Sequence, residues 1–176
     1  MHKSVFRFIG SVLVVGVLLV IVPFANAQEK CLPLSGTIYF WYTDTWHGTA
    51  EFTIGRDVLH ASIVANNTSF VDGGVMALGT EYWTLNFGGG NTIHVTTHFT
   101  IEHMTDAVSS SGVMHVIEVG RFTKGKGVFQ NAYGNLTANG PFGPAVKLPN
   151  HIHPAADSVM FAVTPTQGTI CMVGGQ

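Results

Sequence analysis

The chain has 176 residues, of which 46% are hydrophobic and only 10% are charged, and its formal net charge is −2. A chain of this length suits one domain with a hydrophobic core of its own. Its few basic residues exclude the basic surface that nucleic-acid-binding proteins need, so no nucleic-acid partner is predicted.

The first 27 residues have the organisation of a secretory signal peptide. A basic start precedes an apolar run over residues 8–24, and small residues follow at Ala25 and Ala27, the pattern that a signal peptidase cuts. We therefore predict a mature protein that begins at Gln28, is secreted or periplasmic, and forms one β-barrel domain over residues 28–176. Two basic residues leave with the leader, so its formal charge would be −4. An uncleaved signal anchor is the alternative, because the apolar run is nearly long enough to span a membrane.

Two cysteines, Cys31 and Cys171, lie near the two ends of the predicted mature chain. In an exported protein such a pair predicts an intramolecular disulfide, here between the first and the last strand. Two free thiols in a reducing compartment are the alternative. Cysteines this far apart in the sequence form no Cys-x-x-Cys redox motif and no zinc knuckle.

From residue 35 to residue 173 the sequence has the pattern of an all-β protein. Short apolar and β-branched runs alternate with turns rich in Gly, Asn, Asp and Ser, without a helical period. In chain order, the candidate strands span residues 36–42, 49–54, 59–64, 75–78, 82–87, 92–103, 112–119, 127–129, 134–138 and 158–163. Closure removes the unpaired edges of an open sheet, so these strands predict a single closed antiparallel barrel of about eight strands.

The stretch over residues 92–104 has the clearest alternation of apolar and polar residues. Ile93, Val95, Phe99 and Ile101 share one face of the predicted strand, and the opposite face is polar. The polar row is either a solvated surface or the lining of a cavity, and one strand alone does not decide between them. This row includes His94, His98 and Glu102.

The segment over residues 125–140, GKGVFQNAYGNLTANG, has glycines and apolar residues spaced as in a strand, a tight turn and a second strand. It resembles the Gly-x-Gly-x-Phe-x-x-Ala-x-Gly pattern near the end of the barrels of allene oxide cyclases, dirigent proteins and related bacterial secreted families. The resemblance implies a calycin-like or allene-oxide-cyclase-like barrel. The residue pattern of the segment itself predicts that Phe129 and Leu136 pack inward. The pattern is structural in those families, so it implies no catalytic residue here.

Eight histidines remain after the leader, which raises the question of a metal site. His94 and His98 lie about 13 Å apart along one strand face and cannot share an ion without another strand. His151 and His153 are close enough to chelate together, and the run from His151 to Asp157 resembles the His-x-His-x-x-x-Glu row of cupins. It departs from that row in its Asp, its glycine spacing and the short tail that follows. Either a rigid polar loop or a transition-metal site accounts for the pair.

An aromatic cluster near the start of the predicted barrel suggests a ligand site. Phe40, Trp41, Tyr42 and Trp46 offer more aromatic area than one strand face can bury, which predicts that some of them line a barrel mouth. The candidate ligand-binding residues are Trp41, Trp46, His94, His98 and Glu102.

The acidic residues show no spacing that marks an acid/base couple, and no serine hydrolase motif is present, so no catalytic residue is assigned. Glu102 and Glu118 are of most interest. A hairpin around residues 109–111 would place His115 close to Glu102 or His103 across the ladder, either in a site or as a surface ion pair.

Together these features predict a barrel that binds a small apolar molecule, with no cofactor and no membrane association after cleavage. The first alternative is an enzyme resembling allene oxide cyclases or dirigent proteins, which steers a reactive intermediate by holding it in the barrel. The second alternative is a metal-binding barrel that uses His151 and His153. The identity of the ligand, the oligomeric state and the question of enzymatic activity stay open.

Overall fold

The computed structural model describes residues 29–73, 76–102 and 112–173. The predicted leader, Gln28 and His103 lie outside these residues, as does the turn around residues 109–111. In the described part, no helix is long and apolar enough to cross a membrane. The elements in chain order are β1 (Glu29–Tyr42), β2 (Trp46–Ile54), β3 (Asp57–Asp72), β4 (Met76–Asn86), β5 (Thr92–Glu102), β6 (Met114–Lys126), a 3-10 helix (Gly127–Phe129), β7 (Tyr133–Gly143) and β8 (Met160–Val173).

The eight strands form a closed antiparallel barrel, which confirms the predicted fold class. Each strand pairs with the next in the chain, and β8 returns to pair with β1 along its whole length, from Glu29 opposite Val173 to Tyr42 opposite Met160. Cys31 and Cys171 face each other in this register and form the predicted disulfide. The bridge therefore closes the barrel covalently where its first and last strands meet.

The alternation of side chains along β5 shows which face of the barrel wall is interior. Odd-numbered residues from Ile93 to Ile101 are buried, and the even-numbered ones between them are half-buried or exposed. The polar row with His94, His98 and Glu102 is therefore on the outer wall, so the solvated-surface interpretation is the correct one.

The 3-10 helix closes one end of the barrel. Phe129 is buried, its ring centroid is 4.7 Å from that of Phe87, and Leu136 is buried nearby in β7, as predicted for both residues. The prediction of a strand over residues 127–129 is wrong. Gly127 has a φ of +65°, and its neighbour Val128 donates its N–H to the Asn91 side chain at 3.0 Å, so the backbone turns out of the sheet.

Candidate functional site

The opposite end of the barrel contains a cavity of about 250 Å³. It lies where β1, β3, β5 and β7 end and β2, β4, β6 and β8 begin, so every strand contributes to its wall. The lining is mainly apolar and consists of Phe40, Trp46, Phe70, Ala77, Phe99, Ile101, Met114, Val116, Phe142, Met160 and Ala162. Three acidic residues, Asp72, Glu81 and Glu118, complete it.

The aromatic rings of the lining pack against one another rather than filling the barrel. Trp46 contacts Phe142 at a centroid distance of 5.6 Å, and Phe70 stacks on Phe99 at 6.3 Å. The Phe99 ring lies against Gly79 on the neighbouring strand, where an added Cβ would be 2.1 Å from a ring carbon. The missing side chain at Gly79 therefore gives the Phe99 ring its place in the cavity wall.

A bulge in β3 brings two further residues to the cavity. The register of β3 against β4 shifts between Asn67 and Ser69, and this reverses the alternation of inward and outward side chains. Buried side chains before the bulge are at odd positions such as Ala65, whereas Phe70 and Asp72 line the cavity after it.

Glu81 and Glu118 form a pair of buried carboxyl groups in this otherwise apolar space. Only 7% of Glu81 and 5% of Glu118 is exposed. Glu81 of β4 lies opposite Thr97 of β5. Glu118 of β6 lies opposite Phe99, which is two residues further along β5. The two carboxyl groups therefore project into the barrel from strands on either side of β5 and line one cavity.

Burial controls the protonation of this acid pair, Glu81 and Glu118. It raises the pKa of Glu81 to about 7, although a 2.8 Å hydrogen bond from the Trp83 indole N–H favours the ionised carboxylate. The pKa of Glu118 is raised well above its ordinary value, first by burial and then by repulsion from Glu81. At neutral pH the pair therefore retains protons and offers both a donor and an acceptor inside an apolar cavity.

One oxygen of the acid pair and one neighbouring hydroxyl have no hydrogen-bond partner within the described residues. They are Oε2 of Glu118 and Oγ1 of Thr97, and both are buried. Buried polar atoms in folded proteins are nearly always hydrogen-bonded. The unpartnered oxygen of Glu118, which lines the cavity, therefore indicates a place for a polar group of a ligand or a water molecule.

The chain has no detected relative that would indicate its function. Comparison with protein families, with curated proteins and with solved structures finds no significant match. The resemblance of residues 125–140 to allene oxide cyclases and dirigent proteins thus stays a prediction.

Only one of the predicted ligand-binding residues lines the cavity. Trp46 does so, whereas Trp41 lies on the outer wall in a groove with His47 and His153. A ligand inside the barrel would not contact His94, His98 or Glu102, because the even positions of β5 point outward. His94 and His98 instead pair with threonines of β4 through Nδ1, at 3.2 and 3.1 Å.

The predicted metal ligands His151 and His153 have different neighbours. His151 is 3.0 Å from a carboxylate oxygen of Glu51 and packs edge-on against Tyr39, whereas His153 lies in the outer groove with Trp41. Across the described ranges, the one cluster of three potential metal-ligating side chains is Glu29, Cys31 and Cys171, and its cysteines are joined to each other. Within the described residues, His151 and His153 are therefore not part of a cluster of three potential metal ligands.

The acid pair is the feature that sequence analysis missed. Glu118 was singled out together with Glu102, but no pairing with Glu81 was predicted. The predicted approach of Glu102 and His115 is confirmed, since they face each other across β5 and β6. The two-residue repeat of a strand could have indicated the acid pair. Glu81 is on the same strand face as Trp83 and Leu85, and Glu118 is on the same face as Val116 and Phe122. All four apolar neighbours are buried, so both acids had to point inward.

Proposed function

We propose that this protein is an exported barrel that binds a small, mainly apolar molecule in the cavity next to Glu81 and Glu118. The observation that carries the proposal is an unfilled space of about 250 Å³ with aromatic walls in a barrel whose other end is packed. An apolar protein cavity of about 150 Å³ is known to hold benzene. The volume here therefore suits a substituted aromatic ring or an aliphatic molecule of similar size.

The disulfide and the few polar groups of the cavity support this proposal. A disulfide between the first and last strands is typical of exported proteins, which agrees with the predicted leader. Binding sites for small molecules combine apolar walls with a few placed polar groups that orient the ligand. Glu81 and Glu118 are such groups, because both line the cavity and one oxygen of Glu118 is unpaired.

The binding proposal is tested by filling the cavity. Ala162 is buried in its wall, and an Ala162→Leu substitution places three further carbon atoms in the space that a ligand would use. We expect wild-type protein to bind ethylbenzene in calorimetric titration and Ala162→Leu to bind it at least about tenfold more weakly, a loss of about 1.4 kcal/mol. The control is Ala156→Leu in an exposed loop, which should leave binding unchanged. Equal affinity in wild type and Ala162→Leu would contradict the proposal.

A second candidate function is an enzyme of the kind that the resemblance implies, which steers a reactive intermediate inside the barrel. The observation that favours it is the acid pair, since general acid/base catalysts work best with a pKa near the ambient pH and that of Glu81 is about 7. We expect wild-type protein to change the ratio in which styrene oxide adds water to give the diol or rearranges to phenylacetaldehyde, measured by chromatography, and Glu118→Gln to abolish the change. An identical product ratio with and without protein would contradict the enzymatic function and leave binding as the only proposed function.

A further inference from the structure

The ionisable side chains that the described residues contribute to the cavity are all acidic. Its ionisable lining residues are Asp72, Glu81 and Glu118, and no Lys, Arg or His is among the described residues that line it. A ligand that carries a carboxylate or phosphate would add another negative group to this set without a partner of opposite charge, at a high cost in a buried site. The cavity therefore disfavours anionic ligands such as fatty acids.

We propose that the cavity is specific for an apolar molecule with a protonated amine, whose ammonium group is bound between Glu118 and Glu81. This inference rests on the proposed binding function and specifies the chemical class of the ligand. Its geometric basis is the unpartnered, buried Oε2 of Glu118, a residue that lines the cavity, together with the carboxyl group of Glu81 on the other side of β5.

An ammonium group satisfies this site better than a neutral hydrogen-bond donor does. It offers two or three N–H donors, so it can reach the free oxygen of Glu118 and a second acceptor at once. Hydrogen bonds between charged partners are about twice as strong as those between neutral ones. A hydroxyl group would provide one donor, and wherever a carboxyl group of the pair is ionised it would leave that charge uncompensated.

The aromatic walls add a second source of selectivity for a cation. Phe40, Trp46, Phe70, Phe99 and Phe142 surround the same space. The face of an aromatic ring attracts a cation, and the attraction grows when water is excluded. The arrangement thus combines a carboxyl pair for the charge with rings that accept both the apolar body and the cationic end of the ligand.

Amine binding is expected to depend on pH through the acid pair. Among the residues that the structure describes, the elements packed against the pair contribute one further ionisable group to the cavity, Asp72 of β3. The inward residues of β5 next to the pair are Thr97 and Phe99. Ionised carboxyl groups are needed to bind an ammonium ion, and burial raises the pKa of Glu81 to about 7. Amine affinity should therefore increase between pH 5 and pH 8, while the affinity of a neutral ligand stays constant.

Four probes of similar size test the inference with the full exported protein: 2-phenylethylamine, 2-phenylethanol, ethylbenzene and phenylacetate. In calorimetric titrations at pH 8 we expect the amine to bind at least about tenfold more tightly than the alcohol, and phenylacetate to bind most weakly. Glu118→Gln and Glu81→Gln should each remove most of this preference for the amine over the alcohol. Glu102→Gln on the outer wall is the matched control and should behave as wild type.

The outcomes separate the inference from the function on which it rests. Equal affinity for the amine and ethylbenzene overturns the amine specificity and leaves the binding function intact, whereas failure of all four probes overturns both. An amine preference that survives both Glu→Gln substitutions also overturns the inference, because the ammonium group would then be bound elsewhere. If either variant does not fold, the wild-type comparison of pH 5 with pH 8 decides: amine affinity that does not rise with pH overturns the proposal.

Discussion

Reduction of the disulfide between Cys31 and Cys171 is expected to lower the melting temperature by roughly 10–20 °C while the barrel remains folded at room temperature. The bridge closes a loop of 140 residues, and restricting the unfolded chain to this extent is worth about 5 kcal/mol in the chain-entropy model. The barrel should survive reduction because β1 and β8 remain paired from Glu29 to Tyr42. Thermal unfolding followed by circular dichroism, with and without reductant, measures the difference.

A double variant is the control for this result. Cys31→Ala with Cys171→Ala should unfold at the same temperature as the reduced wild-type protein and should not respond to reductant. Thiol counting in denatured, unreduced protein tests the bridge directly. Two free thiols per chain, or a dimer linked between chains, would contradict both the bridge and the pairing of the first strand with the last.

The free energy of unfolding is expected to fall as the pH rises from 5 to 8, because of Glu81 and Glu118. A carboxyl group whose pKa is raised by folding holds its proton more tightly in the folded state, so its contribution to stability is greatest below its unfolded pKa and is lost as the pH rises. For Glu81 the loss extends from the ordinary pKa of 4.5 to about 7 and amounts to about 3 kcal/mol. Glu118 adds a loss of the same sign, since burial and repulsion from Glu81 raise its pKa well above its ordinary value.

Glu118→Gln isolates the contribution of the acid pair. The amide has nearly the shape of the protonated carboxyl group but does not titrate, and its presence also removes the repulsion that Glu118 and Glu81 exert on each other. We expect the decrease in unfolding free energy between pH 5 and pH 8, measured by urea titration, to be smaller in this variant than in the wild-type protein. Glu102→Gln, on the exposed outer wall, should keep the wild-type dependence. Identical slopes in wild type and Glu118→Gln would mean that Glu118 is not protonated by burial.

Sequence patterns predicted the elements of this fold well where neighbouring residues decide the structure, and less well where a distant strand does. Two strands were predicted over residues 75–78 and 82–87, but β4 is continuous from Met76 to Asn86. Gly79 looks like an interruption within the local sequence. In the barrel it is an ordinary strand residue, whose missing side chain makes room for Phe99 of β5.

The site was the least predictable part, because it depends on which residues meet across strands. Trp46 was the only predicted ligand-binding residue to reach the cavity. Glu81 and Glu118 are far apart in the chain and have no shared motif, yet β5 lies between their strands and both point inward. The bulge in β3 that brings Phe70 and Asp72 to the same space is likewise defined by pairing with β4.

By itself the sequence determined that the chain is all-β, that its strands alternate between a packed and a polar face, and that its two cysteines lie where the first and last strands meet. These properties follow from local periodicity, turn residues and chain order, which act over a few residues or on the ends of the chain. Only the tertiary structure decided which face is interior, and hence that two acids share an apolar cavity while the histidines lie outside. The physical reason is that barrel closure and strand register, which involve the whole chain, determine which side chains are removed from water together.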